Sequence, residues 1–216
     1  RFIADWGQTP ACLNTVLGLD VTIPRDRVAE FQAICNDSDT HTLATVLTSM
    51  FIHAGWAHIL GNMLFLWIFG DNVEDRMGHI GYAIFYLLVG IFAGLTHAFM
   101  NVNDLIPSVG ASGAISGVMA AYLVLFPRAT VGVLLPFPYI GVWPIPAWVL
   151  IGSWFLMQLV YGYYALAETA QSGGVAWFAH IGGFLAGLLL VWVFKREPRA
   201  PAYRPPPEPF DPFDFP

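Results

Sequence analysis

Charge is what this chain has least of. Asp, Glu, Lys and Arg make up 11% of its 216 residues, where soluble domains carry about 25%. A surface facing water needs more than that, so a soluble globular domain is excluded. Disorder over most of the length is excluded too, because 15% aromatic residues and many aliphatic ones will bury themselves. Basic patches are lacking and the net charge is −6, which argues against nucleic acid as a partner. No signal peptide is visible. No pair of Cys or His has ligand spacing with a carboxylate nearby, so neither a metal nor a cofactor is expected. Glu74, Asp75 and His79 are placed together, but in a connecting loop.

What is present is hydrophobic: 56% of the residues, with a mean hydropathy of +0.61. Seven charged residues stand between Thr40 and Phe194: Asp71, Glu74, Asp75, Arg76, Asp104, Arg128 and Glu168. They separate charge-free windows of 31, 27, 23, 39 and 26 residues. A helix crosses the hydrocarbon core with about 20 apolar residues, so each window can hold a span. The reading is an all-α, multi-pass membrane protein whose spans cover about 54–71, 80–100, 112–127, 146–166 and 175–194. Pro136, Pro138, Pro144 and Pro146 crowd the longest window, so Ala129 to Pro144 is expected to be an apolar loop at the interface.

Basic residues in short connections mark the cytoplasmic side. Arg76, Arg128 and the group Lys195, Arg196 and Arg199 follow the first, third and fifth spans. The alternate connections carry only Asp104 and Glu168. Residues 1–45, the Asn101–Val109 loop and the Thr169–Gly174 loop therefore face outside. A chain beginning outside, at Arg1 rather than Met, leads to the expectation of an earlier span upstream. Three regions result: an external segment 1–45, a membrane core 46–196 and a cytoplasmic tail 197–216. The tail holds eight of the 16 prolines and is expected to be extended and disordered. Cys12 and Cys35 both fall in the external segment, where a disulfide and two buried free thiols are alternative readings.

Polar side chains inside spans are costly, which makes them functional candidates. Three clusters qualify: His53-Ala54-Gly55-Trp56-Ala57-His58-Ile59-Leu60-Gly61-Asn62, Gly110-Ala111-Ser112-Gly113-Ala114-Ile115-Ser116-Gly117, and Ala179-His180-Ile181-Gly182-Gly183. His58, Ser112 and His180 share one depth, near the outer ends of their spans. Asn62 follows His58 by four residues, on the same helix face. Gly113-x-x-x-Gly117 and Gly183-x-x-x-Gly187 are small-residue stripes that let two helix backbones approach. That approach could bring Ser112 and His180 within hydrogen-bond reach. Each cluster alone is as well explained by packing. The nucleophile elbow of soluble hydrolases is excluded, since Ala114 stands where a second glycine is required and no strand precedes.

Taken in order, these residues resemble the rhomboid family of intramembrane serine proteases. Gly110-Ala111-Ser112-Gly113 is similar to its Gly-x-Ser-Gly motif, and Ala179-His180-Ile181-Gly182 to Ala-His-x-x-Gly. His53, His58 and Asn62 resemble its His-x(4)-His-x(3)-Asn stretch, and Glu74-Asp75-Arg76 its Glu-x-Arg element. The resemblance covers about residues 45–195. It implies a rhomboid-like bundle with a six-helix core, both termini cytoplasmic, of which five spans stand here and the first is missing. It makes Ser112 the nucleophile and His180 the base. It assigns His58 and Asn62, with the Ser112 backbone N–H, to the oxyanion site, and gives His53, Gly110, Gly113 and Gly183 supporting places. One departure stands out: where some members carry an aromatic residue one turn after the nucleophile, this chain has Ser116.

The implied activity is cleavage of transmembrane segments of other membrane proteins, without a cofactor. Substrate would enter laterally past the fourth span and the Thr169–Gly174 loop. The expected location is a bacterial plasma membrane, with the active site facing outside and lipid as the surroundings. Two other readings were weighed. A rhomboid-like pseudoprotease would bind client helices uncut, yet it would lack the dyad. A channel or transporter would spread polar residues through the full depth, whereas here they gather at one end.

Overall fold

The structure is a computed structural model and describes residues 2–36, 38–135, 141–167 and 175–196. Five long helices form its body: α5 (Trp56–Met77), α6 (His79–Met100), α7 (Ser112–Leu125), α8 (Ala147–Ala167) and α9 (Trp177–Phe194). Four shorter ones precede them: α1 (Phe2–Trp6), α2 (Pro10–Val16), α3 (Val28–Ile34) and α4 (Asp39–Thr48). Helices α6 to α9 fall within the charge-free windows, where no charge has to enter lipid and the helix satisfies its own backbone groups, whereas α5 runs past its window to take in Asp71, Glu74, Asp75 and Arg76. Their outer faces carry Ile80, Phe92, Trp148, Leu156, Leu189 and Trp192, all exposed. Apolar surface on that scale belongs in hydrocarbon.

The spans are not uniform. Among the described residues α6, α8 and α9 are each long and apolar enough to cross a bilayer, and the stretch Asp39–Phe51 with α5 passes as one span bent by 74°. Helix α7 is shorter than the other long helices. Its 14 residues rise about 21 Å, against about 30 Å of hydrocarbon. Pro127 stops it early at one end, and Gly110 turns the chain at the other.

Helix α7 is also the core. Every residue from Gly113 to Tyr122 is buried, enclosed by α5, α6, α8 and α9. Its run of Gly, Ala and Ser is what permits burial on all sides, since small side chains let four neighbours close in. Phe69, Val73, Phe85, Val89, Phe184 and Val191 fill the space around it.

Two sequence expectations are corrected here. Ala129–Pro144 is not an irregular loop: β1 (Thr130–Leu135) and β2 (Gly141–Pro146) pair antiparallel, with Val131 opposite Ile145 and Val133 opposite Trp143. Pro144 and Pro146 are two apart, so both missing N–H groups lie on the same side of β2. The ladder is unbroken, so that side faces away from β1. Glu74-Asp75-Arg76 likewise lies in the last turns of α5 rather than in a loop. There the Arg196 N–H donates to the Arg76 carbonyl at 2.7 Å, joining α5 to the end of α9. Glu74 bonds His79 at 2.5 Å.

The N-terminal segment docks on α6 and on the loop before α7. Asn14 Nδ2 donates to the Ala98 carbonyl (2.8 Å) and Gln8 Nε2 to the Gly94 carbonyl (3.0 Å). Gln8 and Ser108 exchange backbone hydrogen bonds of 3.0 and 2.8 Å. Asn14 thereby adds a second donor to a carbonyl in the last turn of α6 that also accepts the Asn101 N–H at 3.2 Å. Cys12 and Cys35 form a disulfide with Cα atoms 5.1 Å apart, which settles the pairing that the sequence left open. On the exposed face, Arg27 hydrogen-bonds Glu30 at 2.8 Å and holds its carboxyl below the usual range. Such a solvated pair adds little stability. The Thr169–Gly174 loop, Pro136, Pro138 and the tail 197–216 lie outside the described residues.

The disulfide closes a loop with a sequence separation of 23, a constraint worth about 3 kcal/mol on chain-entropy grounds. Replacing both Cys12 and Cys35 by Ser should lower the opening free energy of the external segment by about that amount. Hydrogen exchange at α2 amides reads it, and unchanged protection would contradict the assignment.

Candidate active site

Ser112 is the first residue of α7 and His180 sits in the first turn of α9. Each begins its helix at the same end of the bundle, and Ser112 is recessed because α7 is short. The two helices touch backbone to backbone. A Cβ on Gly183 would overlap the Gly113 carbonyl and lie 2.6 Å from Ser116 Oγ, and one on Gly187 would overlap the Gly117 backbone. The Ser116 hydroxyl lies 2.6 Å from the Gly113 carbonyl and 2.9 Å from the His180 carbonyl, fully buried between the helices. A larger residue at 116 would wedge them apart.

With the backbones this close, Ser112 Oγ and His180 Nε2 meet at 2.8 Å. His180 is buried. Its other ring nitrogen, Nδ1, lies 2.7 Å from Gln158 Oε1 on α8. Trp154 lies beside the imidazole at 5.6 Å between centroids, and Trp177 meets it edge-on at 6.4 Å. These two indoles, from α8 and from His180's own helix, flank the imidazole.

His58, on the first turn of α5, approaches from the other side. Its Nδ1 accepts the Ala54 backbone N–H at 3.3 Å. An acceptor at Nδ1 puts the proton of neutral His58 on Nε2. That edge of the ring lies against Gly110, where an added Cβ would fall 2.8 Å from Nε2. Gly110 has φ +125°, which L side chains rarely adopt, so both its backbone and its neighbour demand glycine. Its N–H donates to the Ser49 carbonyl at 2.9 Å, which anchors the turn. Asn62 is buried and donates through Nδ2 to the His58 carbonyl at 2.9 Å. That bond leaves its second N–H unused. His53 lies in the break before α5, edge-on to His58 at 5.1 Å, with a buried Nε2 that has no hydrogen-bond partner among the described residues.

A cavity of about 690 Å³ connects these groups, lined among others by His58, Asn62, His97, Ser112, Trp154 and His180. The Ser112 N–H belongs to the first turn of a helix, whose amides lack intrahelical partners and carry the positive end of the dipole. A hydroxyl bonded to a neutral imidazole, beside unpaired donors, is suited to nucleophilic attack with charge developing on an oxygen.

Sequence reasoning missed Gln158, Trp154 and Trp177. Gln158 carried a usable signal, since it is a lone amide within a charge-free apolar span. The indoles carried none, because tryptophan is equally at home facing lipid.

A family model described as "Rhomboid domain" matches residues 40–197. "Rhomboid-like protein 11, chloroplastic" of Arabidopsis thaliana is 32% identical over 156 residues, which cover 71% of this chain and 53% of that protein. "Rhomboid protein 1, mitochondrial" of Saccharomyces cerevisiae is 27% identical, over 70% of this chain and 42% of its own length. "Presenilin-associated rhomboid-like protein A, mitochondrial" of Danio rerio is 31% identical, over 74% and 41%. The chain spans about half the length of the curated relatives it matches, or somewhat less. With the family's domain matched across most of its helical core, this multi-pass membrane protein belongs to the rhomboid family.

Proposed function

We propose that the protein is an intramembrane serine endopeptidase that cleaves transmembrane segments of other membrane proteins. The observation that carries this reading is the 2.8 Å contact between Ser112 Oγ and His180 Nε2, recessed within the bundle at the head of a cavity. Ser112 is the nucleophile. As Oγ attacks a peptide carbonyl carbon, its proton passes to Nε2 of His180, and the carbonyl oxygen takes up the negative charge. The His58 Nε2–H, the free Asn62 N–H and the Ser112 backbone N–H face that charge. His180 then returns its proton to the departing amine as the C–N bond breaks, leaving an acyl ester on Ser112. A water molecule, deprotonated by His180, releases the acid and restores the hydroxyl.

The depth of the site supports the choice of substrate. A scissile bond must reach a serine that lies inside the hydrocarbon thickness, and a regular helix shields its own peptide bonds. The substrate is therefore a transmembrane segment that unwinds near the headgroups, entering from the lipid beside α8. Arg76 lies in the last turn of α5, and Arg128 and Lys195 lie just past the C-terminal ends of α7 and α9, so the proposed cavity opens away from the cytoplasmic side. Relatives carry chloroplastic and mitochondrial names, so family membership does not select a bacterial plasma membrane. The division into an external segment 1–45 and a membrane core 46–196 is part of the same proposal.

Ser112→Ala or His180→Ala should abolish cleavage of a reporter transmembrane substrate while the protein stays folded in detergent. A fluorophosphonate should label the wild type at Ser112 and neither variant. Undiminished cleavage by either would end the proposal, and binding of client helices by an uncleaving wild type would establish a pseudoprotease instead. Removing one oxyanion donor by His58→Ala should cost on the order of 10²–10³ in kcat, and a loss confined to KM would remove His58 from that role. Gly110→Ala should suppress fluorophosphonate labelling, because the added methyl displaces the His58 ring. Labelling at the wild-type rate would show that the ring does not matter there.

A further inference from the structure

We propose that Gln158 is a positioning residue that holds the His180 ring in the single tautomer able to accept a proton from Ser112. The inference rests on the hydrolytic reading of the same site and assigns a role to a residue on a third helix, α8.

The hydrogen-bond bookkeeping fixes each atom in turn. A backbone carbonyl can only accept, and the Trp154 carbonyl lies 3.2 Å from the Gln158 amide. The group turned toward it must therefore be the NH₂, which leaves Oε1 facing His180. An amide oxygen can also only accept, so at 2.7 Å the nitrogen opposite it, Nδ1, must carry a hydrogen. A neutral imidazole has one such hydrogen. Nε2 is then a bare lone pair, directed at Ser112 Oγ 2.8 Å away. In the other tautomer Nε2 would carry the proton and could not act as base. Nδ1 would then face Oε1, two acceptors in a buried pocket.

The cost of that second arrangement is what gives Gln158 its effect. Gln158 is 1% exposed, so no water is at hand to replace a lost bond. When His180 takes the proton it becomes an imidazolium, and Oε1 is then a partial negative charge beside a full positive one. Among the described residues no carboxylate bonds Nδ1, and the amide dipole of Gln158 is the group placed there to stabilise the transient charge. Trp154 serves the same end twice: its carbonyl sets the direction of the Gln158 amide, and its indole lies beside the imidazole. The aromatic wall confines the plane of the ring, and the amide selects which nitrogen holds the proton.

The test uses the full chain in detergent or proteoliposomes, with three variants and one spectroscopic measurement. Gln158→Leu keeps the volume and removes the acceptor. Gln158→Glu keeps an acceptor opposite Nδ1, loses the bond to Trp154 and adds a carboxylate. Gln158→Leu should lower kcat for a reporter transmembrane substrate by about 10²-fold, with KM within about twofold, and Gln158→Glu should recover most of the loss. In ¹⁵N-histidine-labelled wild type, the His180 resonances, assigned by their absence in His180→Ala, should show a protonated Nδ1 and a bare Nε2. Gln158→Leu should move that pattern toward protonated Nε2. A wild-type His180 with its proton on Nε2 overturns the proposal, as does a Gln158→Leu protein with unchanged kcat and tautomer. If Gln158→Leu fails to fold, the Gln158→Glu rates and the wild-type spectrum still decide it. A wild type inert to substrate and fluorophosphonate would sink the hydrolytic reading, while the tautomer measured in the same sample would separately test the bond.

Discussion

The contact between α7 and α9 governs everything else in this molecule. Gly183 and Gly187 of α9 lie on the backbone of Gly113 and Gly117 of α7, where an added Cβ would overlap main-chain atoms. Hydrocarbon offers no hydrophobic force to press helices together, so their association relies on close packing and polar bonds. The Ser116 hydroxyl supplies such a bond at the point of closest approach, reaching carbonyls of both helices. The separation of the backbones sets the separation of the side chains above them, and the 2.8 Å between Ser112 and His180 is its direct consequence.

The short length of α7 turns that contact into a site. A full crossing would have carried Ser112 to the headgroups, where water solvates any charge. A 14-residue helix enclosed by four others leaves it recessed, lining a cavity. Low dielectric strengthens each hydrogen bond there and makes each unpaired group costly. The side chains around the dyad answer that cost: Gln158, Asn62 and Ser116 each find backbone or ring partners. The N-terminal segment braces the same end of the bundle. Gln8 and Asn14 tie it to α6, and Gln8 pairs with Ser108 just before the Gly110 turn that aims Ser112.

In the proposed reaction His58 and His180 are neutral imidazoles with opposite duties. A backbone N–H at Nδ1 makes His58 a donor through Nε2, whereas an amide oxygen at Nδ1 makes His180 an acceptor through Nε2. One residue type serves as both oxyanion donor and base because its second nitrogen meets a different partner in each place. Rhomboid membership alone does not assign these duties to the residues of this chain. The tautomer argument is what separates them.

Charge spacing along the chain was enough to delimit the helical core, because each charge is excluded from lipid wherever it falls in the fold. It also exposed the three polar clusters, since a serine, an asparagine or a histidine inside an apolar window is costly in any arrangement. Other features depended on which elements became neighbours. The Cys12–Cys35 bond, the hairpin at 130–146 and the helical placement of Glu74 to Arg76 each turn on contacts or backbone paths that composition leaves open. Gln158 is the clearest case. It stands 22 residues before His180 in sequence, and only the packing of α8 against α9 brings its oxygen to the ring. A lone amide could be seen in the sequence, but its partner could not, because a hydrogen bond between two helices is set by their relative position in space.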